Sequence, residues 1–168
     1  IVKMKKIFLL PIISFLICSC SIYSFSGTSI NSDIKTVYIP LFQNKSKLIY
    51  PELSQIFTLA LQDRFIQQTS IEISEENAEL TFNGFIKNYE IKPISITSND
   101  QANQNRLQIE IYIEFENSID PNKSFNENFM RFADYDSNLN FSDIEAELID
   151  EIILELIEDI FNKAFAGW

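Results

Sequence analysis

The residues that could do chemistry in this 168-residue chain are few: it has two cysteines, three glycines and no histidine. Without histidine, the commonest general base and metal ligand are missing, so Ser-His-Asp and Cys-His nucleophile systems cannot be assembled. Gly27, Gly84 and Gly167 lie too far apart to build a phosphate-cradling loop. Asp134, Asp136, Asn138 and Asn140 place oxygen donors at alternate positions, as a hard cation would want. The turn glycine and closing glutamate of a calcium loop are absent, so a polar loop is expected there. Carboxylates are abundant, and on counting alone a glycosidase-like pair of acids stays open. Those of the last long amphipathic segment, such as Glu147, Asp150, Glu151, Glu155, Glu158 and Asp159, fall on its polar side, which reads as a solvated surface.

Cys20 has the most specific surroundings. Lys3, Lys5 and Lys6 precede an uncharged apolar run from Ile7 to Ile17. This is the charge-then-apolar pattern of an export leader, and it is shorter than the ~20 residues a spanning helix needs. Ile17-Cys18-Ser19-Cys20 then puts an aliphatic residue three positions before Cys20 and a small one directly before it, the bacterial lipobox pattern. We therefore expect residues 1–19 to be a cleaved lipoprotein signal starting at Met4, and Cys20 to carry an N-acyl diacylglyceryl lipid. No other cofactor is expected. Ser21 stands where an aspartate would in many bacteria retain a lipoprotein in the inner membrane, and no acidic run follows. The expected address is the outer membrane, with the domain facing the periplasm.

Charge sharpens that reading. Cleavage before Cys20 leaves ten basic residues against 24 acidic ones, a net charge of −14. Such a chain is a poor partner for nucleic acid and is repelled by anionic lipid surfaces. Attachment then needs the acyl chains on Cys20, since each buried CH₂ contributes ~0.8 kcal/mol. With one thiol left, neither an internal disulfide nor a thiolate zinc site can be written.

The elements that must position any surface follow a Ser-rich tether at 20–33, and residues 34–168 read as one domain. Val37, Tyr38, Ile39, Leu41 and Phe42 suggest a strand over 35–42, with Pro40 marking an edge or bulge. Pro51 opens a helix whose apolar residues recur at helical spacing from Leu53 to Phe65. Strands are expected at 71–73, at 80–91 with a possible bulge at Gly84, at 107–116, and at 124–132; residues 97–105 read as a loop. Ser142 and Glu145 suggest a capping box for a last helix, with an apolar stripe from Ile144 to Phe161. Tyr23, Phe25, Tyr89 and Tyr112 fall outside the expected core. The sum is an α+β two-layer sandwich, two helices on one face of a mainly antiparallel sheet of about four strands.

In order along the chain, CSIYSFSGTSI, TVYIPLFQNKS, PELSQIFTLALQDRF, NRLQIEIYIEF, FMRFADYDSN and DEIILELIEDIFNKAFAGW resemble the LptE family of lipopolysaccharide-assembly lipoproteins. The resemblance implies a non-enzymatic partner that plugs the lumen of the β-barrel LptD at the outer membrane, assists its assembly and serves lipopolysaccharide delivery. It carries over only Cys20 residue by residue. Lys45, Lys47 and Arg106 are the basic residues best placed to meet lipopolysaccharide or the partner, although solvated loop residues are the simpler reading. The alternative is a periplasm-facing outer-membrane lipoprotein that binds a small ligand or another envelope protein, which would call for a deep apolar pocket. An envelope hydrolase is a third reading and would need two buried acids facing a cleft.

Overall fold

The computed structural model describes residues 33–48, 50–95 and 103–165; Cys20, the tether's aromatics and most of the 97–105 segment lie outside them. In chain order the elements are β1 (Thr36–Tyr38), β2 (Gln43–Asn44), α1 (Leu53–Gln68), β3 (Glu72–Ser74), β4 (Leu80–Ser95), β5 (Asn103–Asn117), a short 3-10 turn (Pro121–Lys123), β6 (Phe125–Asp136) and α2 (Phe141–Phe165). The fold is α+β, as expected, with both helices feeding one core. The sheet has six strands rather than about four, and it is mixed.

The order β3-β1-β4-β5-β6 follows from the connections, β2 pairing with β4 beside β1. Helix α1 returns the chain to the end it started from, so β3 lies parallel to β1. Strands β1 and β2 also run parallel to β4. They are one strand interrupted around Pro40: the chain advances from Tyr38 to Gln43 while β4 advances from Thr81 to Phe85. The extra residue is that of a bulge, and Pro40 brings no N–H to the break. Beyond it β4, β5 and β6 form an antiparallel meander. Residues 103–105, expected in a loop, already belong to β5, and β6 continues four residues past the expected Phe132.

The inner face carries the strict alternation of β5: Leu107, Ile109, Ile111, Ile113 and Phe115 are all fully buried. Helix α1 adds Leu53, Phe57, Leu61 and Phe65, beginning two residues after Pro51 instead of at it. Phe65 is the hub of an aromatic cluster, with ring centroids 5.3 Å from Phe82, 5.5 Å from Phe161 and 5.6 Å from Phe165. Helix α2 starts at Phe141, so Ser142 sits inside its first turn, and the Asn140 amide donates to Asp143 at 3.1 Å. Its buried stripe runs from Leu148 to Phe165.

Two irregularities in β4 set its faces. A Cβ on Gly84 would lie 2.1 Å from the Tyr112 carbonyl oxygen and 2.7 Å from the Phe42 ring, so only glycine admits that ring to the core. The bulge itself is not at Gly84; the register with β5 shifts between Ile86 and Asn88. Lys87 is the extra residue. Because side chains alternate with period two, it moves Tyr89 onto the inner face, where it is 4% exposed. Counting by twos from Leu80 places Tyr89 outside, which is why the sequence misassigned it.

Candidate functional surface

Among the described residues, the outer face of the β4–β5–β6 meander has no helix over it and holds its polar side chains in pairs. Lys87 lies 2.8 Å from Glu110 and donates to Asn128 at 3.3 Å. Gln108 donates to Glu90 at 3.1 Å, and Lys92 lies 2.6 Å from the same carboxylate. Phe85 and Tyr112 pack across β4 and β5 with centroids 5.3 Å apart. Met130 and Phe132, on β6, are 49% and 43% exposed.

Arg106 is on this face within β5, not at a loop's end. Its Nε and Nη2 donate to the two carboxylate oxygens of Asp134 at 2.7 and 2.8 Å, and its guanidinium lies 3.4 Å from the Phe132 ring centroid. The hydrogen bonds from Arg106 hold the Asp134 carboxyl below its ordinary range, and the same bonds raise Arg106 further. Bound on both sides, Arg106 is a poor candidate for a phosphate. It is an internal clamp between β5 and β6.

Lys45 follows β2 and stacks over Phe85, its ammonium 4.2 Å from the ring centroid, while Lys47 is exposed in the next turn. Phe85 is registered with Tyr112, six residues along β5 from Arg106. At 3.3 Å per residue this separates Lys45 from Arg106 by roughly 20 Å. The structure therefore does not bring the three cations together, although Lys45 and Arg106 share the outer face.

Asp134 and Asp136 do not form a cation loop either. Asp134 serves Arg106, and Asp136 accepts from Asn138 N and Nδ2 at 2.9 and 2.8 Å, closing the turn into α2. Among the described residues no group of three or more His, Cys, Asp or Glu could hold a metal.

At the other end of the inner face the Tyr89 hydroxyl donates to Glu145 on α2. Burial pushes the phenol well above its ordinary value, and its bond to Glu145 adds to the shift. Arg131 of β6 donates to Asp159 at 2.7 Å, a bond that raises it, and Lys163 lies 2.9 Å from Glu127. These contacts fasten α2 to β6 along one side. Among the described residues, a cavity of about 390 Å³ is lined by Glu79, Glu116, Asn117 and Ser124, and another of about 240 Å³ lies between the helices at Ala60, Arg64 and Leu154. The interior near the aromatic cluster is filled by fully buried rings.

The residues missed by sequence reasoning are those of the outer ladder. Phe85, Met130 and Phe132 are apolar at outward positions, and FNENFMRFADYD, where Phe129 and Met130 are adjacent, already breaks simple alternation.

A model of the family described as "LptE: Lipopolysaccharide-assembly" matches residues 34–164, which include every strand and nearly all of α2. No curated protein sequence matches the chain. Among solved structures, a hypothetical protein from Chlamydia trachomatis is similar in fold, with TM-score 0.54 at 8% identity, covering 80% of this chain and 99% of that one. A minor lipoprotein from Acinetobacter baumannii gives TM-score 0.50 at 12% identity, covering 79% and 94%.

Proposed function

The chain belongs to the LptE lipopolysaccharide-assembly family, and on that premise we propose that it is an outer-membrane lipoprotein, anchored through Cys20 and facing the periplasm. In this reading it seats in the lumen of an LptD-type β-barrel, assists the barrel's assembly and serves delivery of lipopolysaccharide to the surface, without catalysing a reaction. The observation that carries it is the family match over residues 34–164.

Two physical features support the plug over a ligand carrier. The space between sheet and helices near Phe65 is filled with aromatic rings, which suits a protein that works through its surface. The strongly acidic chain would be repelled by a phosphate-bearing glycolipid over most of its surface, whereas barrel lumens are polar and can supply matching cations. Among the described residues no helix is long and apolar enough to cross a membrane; in this reading the lipid on Cys20 provides the attachment. Direct contact with lipopolysaccharide through Lys45 or Lys47 belongs to this reading too, with Arg106 kept as a clamp.

Copurification under mild detergent is the test. A large β-barrel should accompany the lipoprotein; recovery of the lipoprotein alone overturns the assignment of a barrel partner. Separately, Cys20→Ala should release the domain into the soluble periplasm, and continued incorporation of labelled lipid in that variant would refute the cleavage site.

A further inference from the structure

The two lateral edges of the sheet are finished differently. On one side lie short strands: β1 and β3 of three residues and β2 of two. Where β4 outruns them it carries Pro93, which has no N–H to offer a neighbour. These are the usual means of blunting an edge. On the other side β6 runs 12 residues, registered with β5 from Phe125 to Asp136. Among the described residues, the one backbone hydrogen bond recorded from β6 to anything beyond β5 is the turn bond from Leu139 N to Asp136 O, 3.0 Å. The strand holds neither proline nor lysine, and its single cation, Arg131, is turned onto α2. An edge this long presents alternate N–H and C=O groups to any extended chain.

We propose that β6 is a docking edge for an extended segment of another protein, one that carries lysine or arginine at alternate positions with aliphatic side chains between them. The side chains on either side of the edge specify that chemistry. Towards α2 the edge is bordered by Glu127, Glu155 and Asp159, three carboxylates that among the described residues share two cations, Arg131 and Lys163. Towards the outer face it offers the half-exposed Met130 and Phe132. A strand added there would turn its basic residues to the carboxylates and its aliphatic ones to Met130 and Phe132, since successive side chains alternate. A second copy of this chain fits poorly. Antiparallel pairing of β6 with itself would bring the two α2 flanks, each with Glu155 and Asp159, alongside one another.

The test uses the full chain in mild detergent and a defined probe, a short peptide of alternating lysine and valine. At roughly ten times its Kd it should slow exchange of alternate amides between Asn126 and Tyr135 by about tenfold. Amides of β4 near Pro93 should not change. A peptide of the same sequence, N-methylated at every residue, should have no such effect, because it keeps the charge and cannot form the ladder on either edge. Replacing its lysines by glutamates should also abolish protection. The Asn128→Lys, Met130→Lys double variant, checked for an unchanged circular dichroism spectrum, should lose the response by placing cations on the edge. Equal protection by the N-methylated peptide would overturn the proposal in favour of simple charge attraction. Protection of β6 that grows with protein concentration alone would overturn it in favour of self-pairing. Neither outcome bears on the barrel assignment, because no barrel is present.

Discussion

The two faces of the β4–β5–β6 meander are built from the same three strands and solve opposite problems. The inner face is continuous through its centre: side chains such as Phe82, Ile86 and the alternate residues of β5 from Leu107 to Phe115 meet α1 and α2 fully buried, and exposure appears only at its margins, at Ile91, Glu127 and Arg131. The outer face is discontinuous, a set of separate pairs such as Lys87 with Glu110 and Arg106 with Asp134. Burial rewards area removed from water, whereas exposed ion pairs gain little against solvent and side-chain entropy. Stability should therefore be concentrated on one face, leaving the other free to be spent on recognition.

The largest test of this contrast is Phe82→Ala. The ring is fully buried, between Phe65 and Phe115. Its loss should cost about 3–5 kcal/mol in chemical denaturation; a cost near that of an outer-face substitution would break the comparison. Next is Gly84→Ala, which must displace both Phe42 and the β5 backbone at Tyr112 and should destabilise by roughly 1–3 kcal/mol. Tyr89→Phe removes only the hydroxyl bonded to Glu145, so a loss of about 1 kcal/mol is expected, with no change in cooperativity. Smallest is Arg106→Gln, whose exposed partner Asp134 is left hydrated, and its thermal midpoint should barely move.

Acid titration sharpens the same comparison. Hydrogen bonds from Thr36 hold the Glu79 carboxyl below its ordinary value of 4.5, and those from Arg106 hold Asp134 below 3.8. A carboxylate depressed in the folded state contributes stability above its unfolded value and loses it as pH falls through the folded one. Wild type should thus lose stability below about pH 4. Thr36→Val and Arg106→Gln should each flatten that dependence, measured by denaturation at a series of pH values. An unchanged slope in both would show that neither bond matters in solution.

Legibility in the sequence tracked the same division. The α2 stripe and the β5 alternation were plain because each is a long run at one period facing one environment, and burial enforces it at every repeat. The parallel pairing of β1 with β3 was not legible. It depends on α1 carrying the chain back across the sheet, and β3 is only three residues long. Tyr89 was lost because periodicity has no means of announcing an inserted residue, and Gly84, the visible irregularity, answers to Phe42 instead. Arg106 was read as a free cation because nothing local reveals Asp134, 28 residues away, as its partner.

Lys87 also marks where this chain can diverge in length. Deleting it would close the bulge and leave the inward and outward residues of β4 as they are, because Ile86 and Asn88 already pair with consecutive β5 residues, Ile111 and Glu110. A one-residue change elsewhere in β4, with no bulge to absorb it, would exchange the two faces beyond it, sending Tyr89 to solvent and Glu90 towards α2. Within the meander, relatives should therefore vary in length at Lys87 and hold the count of residues elsewhere in β4.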